Sequence, residues 1–485
     1  MRNIFKSILA AFGVVLIMSA CTNDFEEINT NPNGPVVVPS DLLLGSIQEA
    51  TADRLYSTFV GGDMGETWIQ HWGKVQYNDE ERYDVRPGVI NSTWNGFYAE
   101  GLVDAKAMYE LAQAEGNRKN MGVSLVMKAY IFSVLTEMYG SIPYTEALQG
   151  AASNTTPIYN SQDVVYDSLL NDINRALPLL DGEGTISSTQ DLMYAGDALK
   201  WKKFANSLKF RMLMRISAKR NVSADLQAIV NSGVFMTSNA DNAQLKYTGV
   251  NPNANPIWNT VVFGTRNEWK INETIVTMMS GLNDPRLNVY AQPNSDGDIR
   301  GVAPGINNPV QSGYDYDNVS ALGEYFLAPD LPATFMSNSE LKFLMAEAAV
   351  KGFITGVVAQ DMFNAGIRAS FATYNGFVNE DGSLVAMDPE AYILSLGYTP
   401  ANALVNIATQ NYLALYSQGV EAWTEWRRTK IPVLSPAIDP KGGINEIPSR
   451  YFYPTDEQTL NSANYSAASA EIGGDQLTTK LWFMQ

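Results

Sequence analysis

Apolar residues recur at helical spacing along most of this chain, and that periodicity leaves few architectures open. From Ser161 to Leu180, the residues Val165, Leu169, Ile173, Ala176, Leu177 and Leu180 share one helical face. Ser161 stands where an N-cap belongs, Asp163 complements the dipole in the first turn, and Pro178 should end or kink the helix. A second helix opens at Asp197, also a cap residue, and runs to about Arg215; its Trp201, Ala205, Leu208 and Met212 form a stripe that reads as core rather than as a site. Further helices are expected over Trp94–Ala112, Met121–Tyr139, Ser339–Lys351 with Gly352 closing it, Gln360–Tyr374, Ala401–Ser417 and Gly419–Thr429. They come in pairs joined by short polar turns, as antiparallel helical hairpins do. Ala346, Ala348 and Ala349 permit close packing of the tetratricopeptide kind, although no clear repeat of about 34 residues is present. The fold class expected is mainly α, tetratricopeptide-like helical hairpins with a loop-rich ligand-binding face. That face falls in Val234–Asn338, a long stretch rich in Pro, Gly, Asn and Asp, where function tends to concentrate.

The start of the chain has a different logic. Arg2 and Lys6 precede an apolar run from Ile8 to Ala20, and Ser19-Ala20 lie directly before Cys21. At about 1.5 Å per residue the run makes roughly 20 Å of helix, short of the ~30 Å of hydrocarbon in a bilayer. Residues 1–20 therefore read as a lipoprotein signal peptide with Cys21 as the lipid-attachment residue, although Met18 stands where Leu is commoner. Several acyl chains on one residue anchor a protein without a transmembrane helix. Cleavage elsewhere, leaving a free thiol, is the alternative. Residues 21–40, with their Asn, Pro and Gly, read as a tether, and 41–485 as a single helical domain.

Composition removes whole classes of chemistry. The chain has one histidine, His71, and one cysteine, so multi-histidine metal sites are excluded, Cys-His chemistry falls away with Cys21 taken up by lipid, and a Ser-His-Asp triad would have to use His71, which reads as a packing residue. No cofactor or metal is expected. The 33 basic side chains less Arg2 and Lys6 leave 31 against 51 acidic ones, a net charge of −20, which argues against nucleic acid or an anionic lipid surface as partner. Catalysis by a pair of carboxylates, as in a helical glycosidase, survives the count, but no local pattern marks such a pair. With no cysteine left for bridges, stability must come from burial.

Aromatic residues are plentiful, with 9 Trp, 24 Tyr and 19 Phe, and several cluster in loop-like segments. A sugar presents flat C–H faces edged by hydroxyls, so its binder needs aromatic platforms beside Asn, Gln, Asp or Arg. Three clusters qualify: Trp68, Trp72 and Tyr77 beside Gln70, Gln76 and Asn78; Trp258 and Trp269 beside Asn259, Arg266 and Asn267; and Tyr314 and Tyr316 beside Asp315 and Asp317. The first can equally be buried framework. His71 reads as a packing residue, Asp79-Glu80-Glu81 as a solvated acidic run, and Asn294–Asp298 as a turn rather than a calcium loop, because the later bidentate Glu is missing.

Several separated motifs together resemble the SusD/RagB family of nutrient-binding lipoproteins, in its second, SusD-like subgroup. They are DFEEINTNP from Asp24, QHWGKVQYNDEERY from Gln70, WKKFANSLKFRMLMR from Trp201, NDPRL from Asn283, Ala346-Glu347-Ala348, GVEAWTEWRRTKIP from Gly419, RYFYP from Arg450, and the segment from Asn461 to Tyr465. The resemblance implies a lid on a TonB-dependent transporter of the SusC type, lipid-anchored at the outer membrane and facing the exterior. It also implies a non-catalytic role, delivering oligosaccharides or, in RagB-like members, peptides. Trp423, Trp426, Arg427 and Glu347 sit in its signatures and read as framework, with Arg427 or Arg428 pairing a buried carboxylate.

Overall fold

The computed structural model describes residues 38–485. The expected signal peptide, Cys21 and the tether as far as residue 37 lie outside the described residues. Ser40–Gln485 pack as one compact unit.

Helices dominate it, in an arrangement like that of tetratricopeptide proteins. In chain order they include α1 (Leu42–Tyr56), α2 (Pro87–Asn95), α3 (Val103–Glu115), α4 (Arg118–Tyr139), α5 (Gln162–Leu180), α6 (Ala198–Arg215), α7 (Ser223–Ser232), α8 (Glu273–Leu282), α9 (Asn338–Val350), α10 (Ala359–Tyr374), α11 (Pro389–Ser395), α12 (Ala403–Ala414), α13 (Gly419–Thr429), α14 (Thr455–Leu460) and α15 (Ser462–Glu471). Asp197 caps α6, its carboxylate accepting from the N–H groups of Leu199 and Lys200 at 2.9 and 3.1 Å. Ser161 holds the capping position of α5, yet its hydroxyl donates to the Asp163 carboxylate at 2.5 Å instead of serving the backbone. Pro178 is accommodated inside the last turn, and α5 stops two residues later at Leu180. Gly352, at φ +71°, closes α9 as the Phe353 N–H returns to the Ala348 carbonyl at 2.8 Å.

Two helices depart from the expected periodicity. The helix expected over Trp94–Ala112 forms as part of a longer one, because α2 and α3 run on without a gap through a π-wound segment, Gly96–Leu102, with αR backbone at both junctions. A Cβ on Gly96, at the start of that segment, would lie 2.1 Å from the Arg54 guanidinium, so a glycine is needed there for the α1 arginine to lie against it. Helix α4 is not amphipathic, since every residue from Gly122 to Tyr139 except Lys128 is buried. It is long and apolar enough in composition to cross a membrane, but it is the central core helix of this fold.

Hairpins α4–α5 and α9–α10 pack closely at glycines. A Cβ on Gly122 would meet Leu180 at 2.9 Å, and one on Gly366 would meet the Phe343 ring at 2.7 Å. Helix α9 divides two apolar clusters, with Ala348 in the main core and Ala346 and Phe343 packed among Phe363, Ile367 and Phe371. The signature segments form the frame between them. Trp423 and Trp426 are buried; Arg428 pairs with Glu347 and Glu425; the Arg427 guanidinium lies 3.5 Å over the Trp423 ring and donates to Thr424 and the Ser449 carbonyl.

Strands occur as three short antiparallel ribbons among the described residues: β1 (Trp72–Lys74) with β5 (Trp269–Ile271), β2 (Ile142–Pro143) with β3 (Tyr159–Asn160), and β4 (Ala243–Leu245) with β6 (Ala333–Met336). The first of these ribbons, pairing Trp72 with Ile271 and Lys74 with Trp269, joins the two segments in which the sequence concentrates its tryptophans.

Candidate ligand face

The β1–β5 ribbon sorts the aromatic residues into anchors and platforms. Trp68, Trp72 and Trp269 are each 1% exposed. Trp68 packs edge-on against Trp423 and Tyr451, with ring centroids 5.0 and 5.6 Å away, and its Nε1 donates to the Glu80 carbonyl at 2.9 Å. Trp269 donates from Nε1 to Asp63 at 2.8 Å. Trp72 is enclosed near the Tyr416 ring. As ligand-binding residues these three are corrected: each is sealed inside the protein and offers no ring face to a solute. Their role is to hold the ribbon onto the helical frame.

The remaining candidates reach the surface, and the fold gathers several of them. Tyr77 follows β1 at φ +54° and is 63% exposed. Tyr316 arrives from a distant loop, and its hydroxyl donates to Gln76 Oε1 at 2.8 Å, beside Tyr77. Lys270 fixes this loop from below, donating to the Tyr316 carbonyl at 3.0 Å with its ammonium 5.6 Å from the ring. Burial lowers the pKa of Lys270, and desolvation raises that of Tyr316. Tyr314 lies on the same loop, half-buried under Arg300 at 5.0 Å and bonded to Glu273. Beneath both tyrosines sits a small apolar cluster of Val75, Val302 and Val319. Trp258 is half-buried and stacks on Phe263 at 5.6 Å and 26°. Their segment is tied to that of Arg266, whose N–H donates to the Thr260 carbonyl.

Beside Tyr77 lies an open cleft of about 460 Å³, lined by Lys74, Tyr77, Asp79, Glu80, Asp84, Arg86 and Arg266 among others, with Tyr314, Tyr316, Trp258 and Phe263 outside its wall; its size is within the roughly 300–1,000 Å³ of small-molecule sites. Arg266 stands 5.2 to 5.8 Å from the rings of Trp269, Phe59 and Tyr77 and pairs with Glu268. Arg86 covers the other side of Phe59 at 5.0 Å, bonded to Asp63 and Glu80. Asp63 also takes Lys74 at 3.0 Å. Asp63, Glu80 and Glu268 thus offset Lys74, Arg86 and Arg266, and Asp79 and Asp84 share Lys441, leaving a polar cleft with one surplus negative charge.

Glu81, expected as solvated surface, is buried, and burial pushes its carboxyl up to about 8. Its two oxygens accept the backbone N–H groups of Lys74 at 3.0 Å and Gly305 at 2.8 Å. It pins the ribbon and has no open side toward the cleft. His71 is likewise enclosed, its Nδ1 2.8 Å from Glu66. The Asn294 side chain accepts the N–H groups of Asp296 and Asp298, both at 3.0 Å, which makes 294–298 a turn. Two residues were missed by sequence reasoning: Phe59, inside a glycine-rich segment, and Phe263, which is 65% exposed. The stack of Phe263 on Trp258 uses a five-residue spacing, legible only if the π-type turn Asn259–Phe263 is anticipated.

A family model described as starch-binding, associating with the outer membrane, the second SusD-like group, matches residues 32–454. The chain belongs to this SusD-like family. Solved structures agree in fold. A chitin-binding protein superposes with a TM-score of 0.81 at 24% identity, covering 92% of this chain and 99% of its own. A SusD homologue from Bacteroides fragilis gives 0.77 at 24%, covering 93% and 100%. A chitin-binding SusD homologue from Flavobacterium johnsoniae gives 0.76 at 22%, covering 92% and 97%. No curated protein matches the chain. SusD-like membership accounts for the signature residues as frame: Trp201, Arg286, Trp423 and Arg450 are all buried.

Proposed function

We propose that this SusD-like protein captures an oligosaccharide at the cell surface and passes it to a SusC-type TonB-dependent transporter in the outer membrane, without catalysis. One observation carries the reading: Tyr77 and Tyr316, far apart in the chain, are linked through Gln76 beside a polar cleft whose ion pairs nearly balance. Flat rings beside amide, carboxylate and guanidinium groups suit a neutral sugar, whose C–H faces stack and whose hydroxyls bond. Trp258 with Phe263, and Tyr314, extend the ring surface on adjoining segments. Family membership and the chitin-binding structural relatives support a glycan over a peptide.

The non-catalytic part rests on the carboxylates. A glycosidase acid needs a raised pKa and an open approach to substrate. Glu81 has the first without the second, Asp63 is held by Lys74, Arg86 and Trp269, and Glu80, which lines the cleft with its pKa raised by burial, is held by Arg86. Residues 1–20 act as the signal peptide in this reading, Cys21 carries the acyl chains, 21–40 form the tether, and 41–485 form the domain, on the outside of the outer membrane.

Glycan arrays and peptide libraries probed with the purified chain, with chromatography of the incubated sugars, test this. Retention of neutral oligosaccharides with no new products is expected. Selective peptide retention would replace the ligand, and released products would overturn the non-catalytic reading.

A further inference from the structure

A second groove, of about 220 Å³, opens on the helical side between α3, α4 and the loop after β2, and it shares no lining residue with the cleft at Tyr77. Behind its lining residues Lys128, Tyr144 and Arg175 lies Asp172 of α5, whose side chain is 4% exposed and does not itself line the groove. Three donors converge on this carboxylate: the Tyr144 hydroxyl at 2.5 Å, the Lys128 ammonium at 2.9 Å and the Arg175 guanidinium at 3.2 Å. Arg175 also donates to the Tyr109 hydroxyl at 3.1 Å, and Lys128 lies 4.8 Å over the Tyr144 ring. One buried acid therefore holds two cations and two half-buried rings in fixed positions on three neighbouring helices and a loop.

The arrangement is more than an ion pair that stabilises the fold. Lys128 and Arg175 stay 27% and 48% exposed, and an arginine has five N–H donors, of which two are engaged here. Lys106 adds a third cation at the wall and Glu110 a second acid, so the groove carries one surplus positive charge in a chain of net charge −18. The volume falls below the roughly 300–1,000 Å³ of a drug-sized site, which suits one ring rather than an extended chain.

We infer that this groove is a separate site for an anionic sugar residue, a uronate whose ring lies against Tyr109 and Tyr144 and whose carboxylate meets Lys128 and Arg175. Charge-assisted hydrogen bonds from a guanidinium and an ammonium are strong enough to make the carboxylate decisive. Neutral-glycan capture at the Tyr77 cleft neither requires this site nor depends on it.

Calorimetric titration of the purified chain with trigalacturonate and with its methyl ester, which has the same shape without the charge, tests the inference. Binding of the acid at least about tenfold tighter than the ester is expected, with a similar loss in Arg175→Gln and in Tyr109→Ala and no loss in Tyr77→Ala. Circular dichroism of the variants separates unfolding from loss of contact. Failure of trigalacturonate to bind, equal binding of the ester, or loss in Tyr77→Ala but not in Arg175→Gln would each overturn the groove while leaving neutral capture standing.

Discussion

Tyr77 and Trp68 belong to one aromatic segment and have opposite duties. Trp68 is locked by two rings and a backbone carbonyl, so Trp68→Ala is expected to cost about 3–5 kcal/mol of stability, measured by urea denaturation. Tyr77→Ala removes an exposed ring and is expected to change stability by no more than about 0.5 kcal/mol while weakening glycan binding. Glu81 has a pH signature. Its folded pKa, about 8, lies above the usual carboxylate value of 4.5, so its contribution to stability is complete below about pH 4.5 and is lost as pH rises through 8. Stability is expected to fall by on the order of a few kcal/mol across that window, and Glu81→Gln to flatten the decline in denaturation curves taken at pH 5 and pH 8. Which rings would be platforms was not legible locally. Trp72 and Trp269 look as available as Tyr77 in the one-dimensional string, and only the pairing of β1 with β5, from the far side of the chain, turns both inward.

Helices with a cap or a clean stripe were legible to within a few residues, as α6, α9, α10 and α13 show. The π-wound segment joining α2 to α3 was not, because neither a cap nor a change of stripe marks it. Nor was the all-round burial of α4, which follows from packing on every side. Two contacts between elements make the frame testable. Arg215 of α6 reaches Glu137 of α4 at 3.2 Å and Glu421 and Glu425 of α13. Arg215→Met would leave Glu137 without a cation inside the protein, while Glu421 keeps Arg211 and Glu425 keeps Arg428, at an expected cost of about 3–5 kcal/mol by denaturant titration. Helix α13 begins glycine against glycine, where a Cβ on Gly419 would stand 2.1 Å from the Gly61 carbonyl oxygen. Gly419→Ala is expected to lower the melting temperature, with a cost of about 1–3 kcal/mol.

As a whole, the molecule is a buried ionic and aromatic frame carrying an irregular face, and the two were legible to different degrees. The frame is written in long motifs, so the SusD-like fold followed from segments such as GVEAWTEWRRTKIP. The face depends on loops that meet only in three dimensions, which is why Tyr316 appeared in a different cluster from Tyr77 and Gln76, and Phe59 did not appear at all. A neutral ligand should bind this face almost independently of ionic strength, because no long-range attraction is being screened. The central claim, capture by exposed rings, is tested most directly by calorimetric titration of a neutral oligosaccharide retained by the wild-type chain into the folded Tyr77→Ala, Tyr316→Ala double variant. Loss of binding by at least about tenfold is expected; binding equal to the wild type would contradict it.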